Sequence, residues 1–290
     1  MAIIIDENTE TIVQGITGSN AQIHTKLMLE YGTKIVGGVT PGKGGQEVFG
    51  VPVYDTVKEC IEENPNAKVS SIWVPARFAK DAALEAIDAG LETVVLITEM
   101  IPIHDMLLVR ERAKRKGTIV LGGNTPGIIS PGKALVGMLP KVAFKKGRIG
   151  TVARSGSITY YIANSLDICG MGESTCVGIG GDPVIGANFE DILKLFDKDD
   201  DTDAIVLAGE IGGLYEEIAS GYISKIKKPV IAYVAGLHSP IHKRMGHAGA
   251  IIESGMGGVK EKISALRSGG AKIANTLKDI PKIIKEELGD

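Results

Sequence analysis

The segment Lys243-Arg244-Met245-Gly246-His247-Ala248-Gly249-Ala250 presents a histidine between small residues, so its neighbours do not cover the imidazole. Two cations precede it, which suits an anionic reaction partner. A neutral imidazole is nucleophilic near pH 7, so group transfer through His247 is one reading. A structural histidine is the other, and the residues alone leave both open. Gly209-Glu210-Ile211-Gly212-Gly213 places a carboxylate after an apolar run, where it could hold a histidine in one tautomer. His24, His104, His238 and His242 lack such a setting. No His-Glu-x-x-His motif pairs any two histidines, so no metal site is expected on this chain.

Glycine-rich turns supply the other chemistry. Gln14-Gly15-Ile16-Thr17-Gly18-Ser19-Asn20-Ala21 has the spacing of a dinucleotide fingerprint, with Ala21 at the third position. Such a turn aims backbone N–H groups at a phosphate, although any strand-to-helix turn also favours glycine. Gly37-Gly38-Val39-Thr40-Pro41-Gly42-Lys43-Gly44-Gly45 follows a P-loop as far as its lysine, then puts Gly44 where a magnesium-binding Ser or Thr belongs. That departure argues against a nucleoside triphosphatase. An anion-binding loop using Lys43 and a solvated hairpin loop remain. Arg154-Ser155-Gly156-Ser157 ends a strand and opens a helix: either serine could cap that helix, and the same turn could hold an anion. No Gly-x-Ser-x-Gly elbow surrounds these serines, against a hydrolase. Gly178-Ile179-Gly180-Gly181-Asp182-Pro183 closes a further strand.

The elements that must position these groups alternate along the chain. Expected strands are Thr11–Ile16, Lys34–Val39, Val69–Pro75, Glu92–Thr98, Thr118–Gly122, Arg148–Ala153, Ser174–Gly178, Asp203–Gly209 and Pro229–Ala235. Most are continuous apolar runs, as in parallel strands buried on both faces. Helices are expected over Ala79–Ala89 and His104–Lys116, stopped by Gly90 and Gly117, and over Ile158–Cys169, Tyr215–Ile226 and Ile280–Leu288. Alternation of this kind predicts an α/β fold with doubly wound sheets. The Lys-rich stretch Pro140–Gly147 interrupts the pattern and divides the 290 residues into expected domains 1–145 and 146–290.

Composition narrows the function classes. A net charge of −3 and 4% aromatic residues leave neither the cationic footprint nor the stacking platforms of a nucleic-acid binder. No apolar run is long enough to span a bilayer, and the acidic N-terminus is not a signal peptide. Cys60, Cys169 and Cys176 form no Cys-x-x-Cys pair, which fits a reducing cytoplasmic compartment. The 38 glycines exceed the usual share of about 7%, without any repeat to absorb them.

Taken together, Gly38 through Gly45, Cys176 through Pro183, Gly209 through Gly213 and Arg244 through Ala250 resemble the α-subunit family of succinate–CoA ligase, over essentially the whole chain. The resemblance implies an N-terminal CoA-binding Rossmann-like domain and a C-terminal flavodoxin-like domain. It implies a separate β subunit with an ATP-grasp site, which binds ATP or GTP with Mg²⁺, in an αβ or (αβ)₂ assembly. It makes His247 the phosphohistidine, Glu210 the carboxylate that orients it, and Ser155, Gly156 and Ser157 the helix start that holds the phosphate. CoA falls to Thr17, Gly18, Ser19, Asn20, Pro41 and Lys43, together with Trp73, Val74, Pro75, Thr98 and Glu99.

Some positions depart from the family pattern. Asn20-Ala21 replaces a usual Gln-Gly, and the Ala21 Cβ is expected to narrow the approach of the CoA phosphates. Trp73 stands for Tyr or Phe, Arg77 for proline and Tyr161 for glutamate. In the loop Gly122-Gly123-Asn124-Thr125-Pro126-Gly127, Gly123 stands where the family usually has proline and Thr125 where it often has cysteine, and Gly123, Asn124 and Thr125 are expected near the acyl group. Loss of the proline is expected to loosen this loop, which would suit a bulkier acid such as citrate or malate. A non-catalytic CoA-binding homologue is the alternative from another class.

Overall fold

Residues 2–240, 242–252 and 257–289 are described by the structure, a computed structural model. The apolar runs become strands and the amphipathic stretches become the helices that cover them. The N-terminal part runs β1 (Glu10–Gln14), α1 (Ser19–Tyr31), β2 (Lys34–Val39), β3 (Glu47–Val48), β4 (Val51–Tyr54), α2 (Val57–Glu63) and β5 (Ala67–Ile72). It continues through α3 (Ala76–Asp88), β6 (Thr93–Leu96), α4 (Ile103–Lys116) and β7 (Ile119–Gly122). These strands form one seven-stranded sheet in the order β3-β4-β2-β1-β5-β6-β7, parallel except for the short β3–β4 hairpin. Gly90 and Gly117 take the left-handed conformation that ends α3 and α4, at φ 90° and 75°.

The remaining elements are β8 (Gly127–Ser130), β9 (Ala134–Gly137), β10 (Lys146–Ala153), α5 (Gly156–Ile168), β11 (Glu173–Gly178) and α6 (Phe189–Asp197). They are followed by β12 (Ala204–Glu210), α7 (Tyr215–Ile223), β13 (Val230–Ala235), α8 (Val259–Ser268), β14 (Lys272–Ile273) and α9 (Asp279–Leu288). The second sheet has the order β14-β13-β12-β10-β11-β8-β9, with β8 and β9 antiparallel at one edge. The fold is therefore α/β with two parallel-dominated sheets, as the alternation predicts.

One boundary differs. The β8–β9 hairpin precedes residue 145, yet β8 pairs with β11, so sheet membership changes between β7 and β8. The hairpin also ties the halves together. The Thr33 hydroxyl donates to the Leu135 carbonyl at 2.7 Å, and the Ser130 hydroxyl donates to the Ile5 carbonyl at 3.0 Å. One continuous apolar core runs through both sheets, joining Val13 and Val95 of the first to Ile128, Val136, Val152 and Val177 of the second.

Candidate active site

Strand order decides where a ligand can sit. In each sheet the order reverses at one strand, and the loops leaving that point diverge to leave a crevice at the carboxyl edge. In the first sheet the reversal lies at β1, flanked by β2 and β5, so the 15–18 turn meets Trp73-Val74-Pro75. The Trp73 N–H donates to the Gln14 carbonyl at 3.0 Å, and the Thr17 hydroxyl bonds that of Thr40 at 3.2 Å. In the second sheet the reversal lies at β10, flanked by β11 and β12, so Arg154 and Ser155 meet Glu210 and Gly213.

A cleft of about 760 Å³ joins the two regions. Asn20, Trp73, Val74, Pro75, Thr98, Glu99, Asn124, Thr125, Gly156, Ser157 and His247 line it. Eleven of the residues expected from sequence are thus gathered on one surface. Ser155 is buried at the N-cap of α5, and Glu210 is buried behind His247. Pro41 and Lys43 lie on the exposed turn between β2 and β3, outside the lining. The helices α1, α3 and α5 all begin at this cleft without a side-chain cap, so no side chain of their N-cap residues competes with an incoming anion for the first-turn N–H groups. Neither Ser155 nor Ser157 supplies the expected cap.

The histidine is held from behind. His247 Nδ1 lies 2.9 Å from both carboxylate oxygens of Glu210, and Arg154 Nε stands 3.5 Å from Glu210 Oε1. The hydrogen bond to Glu210 raises the His247 pKa above the usual imidazole value, against the opposing effect of burial. With Nδ1–H donating to the carboxylate, the lone pair falls on Nε2. The ring lies against Gly181, where an added Cβ would meet the imidazole at 2.5 Å. Gly212, at φ 87°, lets the turn after β12 press against the Gly249 carbonyl. The loop is pinned by the Gly249 N–H, which donates to the Gly181 carbonyl at 3.0 Å.

Three residues of the site are not among its expected members. Arg154 is 1% exposed and donates from Nη1 to the Gly212 carbonyl at 3.0 Å, fixing the turn after Glu210. Asp182 is 1% exposed, and burial raises its carboxyl pKa; its Oδ2 accepts the Ile101 N–H at 3.3 Å. His24 stacks on Trp73 with ring centroids 4.8 Å apart and 15° between planes, contrary to its reading as a histidine without a setting. Its place on α1 four residues after Asn20 is the signal that could have found it, since i and i+4 share a helix face.

Two further expectations are corrected. Ala21 is 1% exposed in the protein interior, so its Cβ does not narrow the cleft. The 122–127 loop is tightly held rather than loosened by Gly123. The Asn124 N–H donates to the Thr98 carbonyl at 2.8 Å, and the Thr125 hydroxyl donates to the Gly178 carbonyl at 2.6 Å. A Cβ at Gly123 would meet Asp182 Oδ2 at 2.9 Å and Ile101 at 3.2 Å, so the glycine lets the loop close down.

Comparison with known proteins places the chain in a family. Residues 6–100 match the CoA binding domain family, and residues 152–272 match the CoA-ligase family. An α subunit of an ADP-forming succinate–CoA ligase from Archaeoglobus fulgidus is 54% identical over 99% of this chain and 100% of its own length. The counterpart from Methanothermobacter thermautotrophicus is 53% identical and that from Aquifex aeolicus 50%, each over 99% of this chain and 97% of its own. The ATP citrate lyase of Methanothrix soehngenii, solved with citrate and coenzyme A, superposes with a TM-score of 0.89 over 99% of this chain. It is 24% identical, and this chain spans 50% of its length, so it shows the shared fold.

Proposed function

The chain belongs to the α-subunit family of ADP-forming succinate–CoA ligases, and we propose that it joins succinate to CoA by passing a phosphoryl group through His247. The observation that carries this reading is the doubly held Nδ1: Glu210 fixes the ring while the same imidazole lines the cleft bounded by Trp73 and the α5 start.

The chemistry proceeds in three transfers. Nε2 attacks the terminal phosphorus of a nucleoside triphosphate, breaking its bond to the bridging oxygen and releasing the diphosphate. Glu210 stabilises the positive charge that develops on the ring. The amides of Gly156 and Ser157 then face the phosphoryl oxygens at the start of α5. A succinate oxygen next attacks that phosphorus, forming succinyl phosphate and returning the neutral imidazole. Finally, the CoA sulfur attacks the acyl carbon, its proton is lost, and inorganic phosphate leaves.

Trp73 and His24 offer an aromatic surface for the adenine of CoA, while Asn20 and the α1 start face its phosphates. Thr17, Gly18, Ser19, Pro41 and Lys43 border that region, with Val74, Pro75, Thr98 and Glu99 along the path to the closed 123–125 loop, where the acyl group sits. A β subunit with an ATP-grasp site supplies the nucleotide and Mg²⁺, in an αβ or (αβ)₂ assembly. Three free thiols accord with a cytoplasmic protein, and no described helix is long and apolar enough to cross a membrane.

Incubation of the αβ complex with ATP tests the reading. Acid-labile, base-stable phosphate is expected on His247, lost in His247→Ala and discharged by succinate with CoA. Turnover that persists in His247→Ala would overturn it.

A further inference from the structure

Behind the histidine and its carboxylate lies a second, fully buried charge cluster that the phosphoryl transfer itself does not use. Lys262 of α8 and Glu216 of α7 both have fully buried side chains, and their charged groups form a short contact. Lys262 Nζ also donates to the Gly213 carbonyl at 2.9 Å and to Glu217 at 3.1 Å. The other oxygen of Glu216 accepts the backbone N–H of Glu210 at 3.0 Å. Gly209 lacks a Cβ where one would meet Glu216 Oε1 at 2.5 Å, so the end of β12 is shaped around this carboxylate.

A buried ion pair is costly to desolvate and by itself is poor evidence of stabilisation. Its geometry here does something more specific. Glu216 grips the backbone of the residue that orients His247. Lys262 grips Glu216 and the turn just after Glu210. Lys262 also sits on the helix that closes the loop carrying His247. That loop is anchored to the same turn by the Gly212 N–H, which donates to the Gly257 carbonyl at 2.8 Å. The pair therefore joins the strand that bears the carboxylate to the helix that ends the histidine loop.

We infer that Lys262 and Glu216 are positioning residues for phosphoryl transfer, fixing the Glu210 carboxylate and the base of the His247 loop in one register. The inference rests on the phosphoryl-carrier reading of His247. The Lys262 ammonium makes no contact with the cleft and acts only through Glu210 and the loop.

The test compares Lys262→Met, Lys262→Arg and the charge-neutral double variant Glu216→Gln/Lys262→Met in the αβ complex. Lys262→Met is expected to slow phosphorylation of His247 by ATP between about tenfold and about a hundredfold, as misplacement of a reacting group does. The KM for CoA stays unchanged, and Lys262→Arg, which keeps the charge and the donors, recovers most of the rate. In the full α chain labelled with ¹⁵N-histidine, the His247 resonance, assigned through His247→Asn, is expected to lose its single Nδ1–H tautomer in Lys262→Met. Where Lys262→Met does not fold, the double variant leaves no buried Glu216 charge unpaired, Glu217 being partly exposed to solvent, and is expected to show the same slowing and the same spectral change. A folded variant of either kind that matches the parent in rate and in tautomer overturns the inference. A parent complex that is never phosphorylated overturns the carrier reading instead, and the ¹⁵N spectra still decide whether Lys262 fixes the ring.

Discussion

His247 Nδ1 stands 2.9 Å from each oxygen of the Glu210 carboxylate, so one acceptor group spans the ring N–H symmetrically. The consequence is a ring fixed in orientation and tautomer, with the lone pair left on Nε2. It is also a ring that holds its proton more firmly than a free histidine does.

Glu210→Gln separates these two effects. An amide still accepts from Nδ1–H but does not stabilise the imidazolium, so phosphorylation is expected to fall by about a hundredfold or more. The pH profile moves as well. Attack needs the neutral ring, so the parent rate rises through the raised His247 pKa, and the midpoint in Glu210→Gln is expected at lower pH. Stability carries the same sign. The folded chain binds this proton more tightly than the unfolded one, so the stabilisation is full below the unfolded value of about 6.5 and fades as pH rises through the folded one. The Tm deficit of Glu210→Gln relative to the parent is accordingly expected to be larger at pH 5.5 than at pH 9.

Gly181→Ala tests the surface on which the ring rests. The added Cβ would meet the imidazole at 2.5 Å, and the ring must tilt away from Glu210 to admit it. Phosphorylation is expected to drop by about tenfold or more while CoA binding to the isolated chain is retained. Gly90→Ala, at a position with nothing near its Cβ, serves as a control whose cost falls on stability and not on transfer.

The architecture was largely legible because a parallel sheet writes itself as continuous apolar runs, and Lys34–Val39 is a strand with the same limits in both readings. The β8–β9 hairpin has little local signal, because Ile128-Ile129 and Leu135-Val136 are short runs split by Pro131-Gly132, and the pairing of β8 with β11 is a distant contact. The site followed a similar rule. His247 and Glu210 stand out in the sequence by the glycines around them, and the fold brings the two within hydrogen-bonding distance. Arg154 and Lys262 read as ordinary cations, because the carboxylates that permit their burial come from remote parts of the chain. Local pattern carries the backbone cradle; compensated buried charge becomes visible only when the fold brings its partners together.

Trp73→Ala addresses the CoA end of the cleft. Loss of one stacking surface costs about 1–3 kcal/mol, so the KM for CoA is expected to rise between about fivefold and about a hundredfold. Phosphorylation of His247 by ATP in the absence of CoA stays at the parent rate, since Trp73 belongs to the other sheet. Trp73→Phe restores most of the affinity. Equal loss in both half-reactions would mean that the indole supports the fold of the cleft and not its ligand.

Asp182→Asn probes the junction between the cleft loop and the histidine loop. Its carboxyl is buried beside the Gly123 backbone, and burial raises its pKa. A carboxyl whose folded pKa exceeds its unfolded one stabilises the fold while protonated, and that contribution is lost as pH rises through the folded value. Asparagine keeps the acceptor for the Ile101 N–H and stays neutral throughout. The Tm of Asp182→Asn minus that of the parent is therefore expected to grow from pH 4 to pH 8. Asp182 also helps to hold the His247 proton, so the variant should phosphorylate with a midpoint at slightly lower pH. A Tm difference that is flat across this range would show that Asp182 ionises as freely in the folded chain as in the unfolded one.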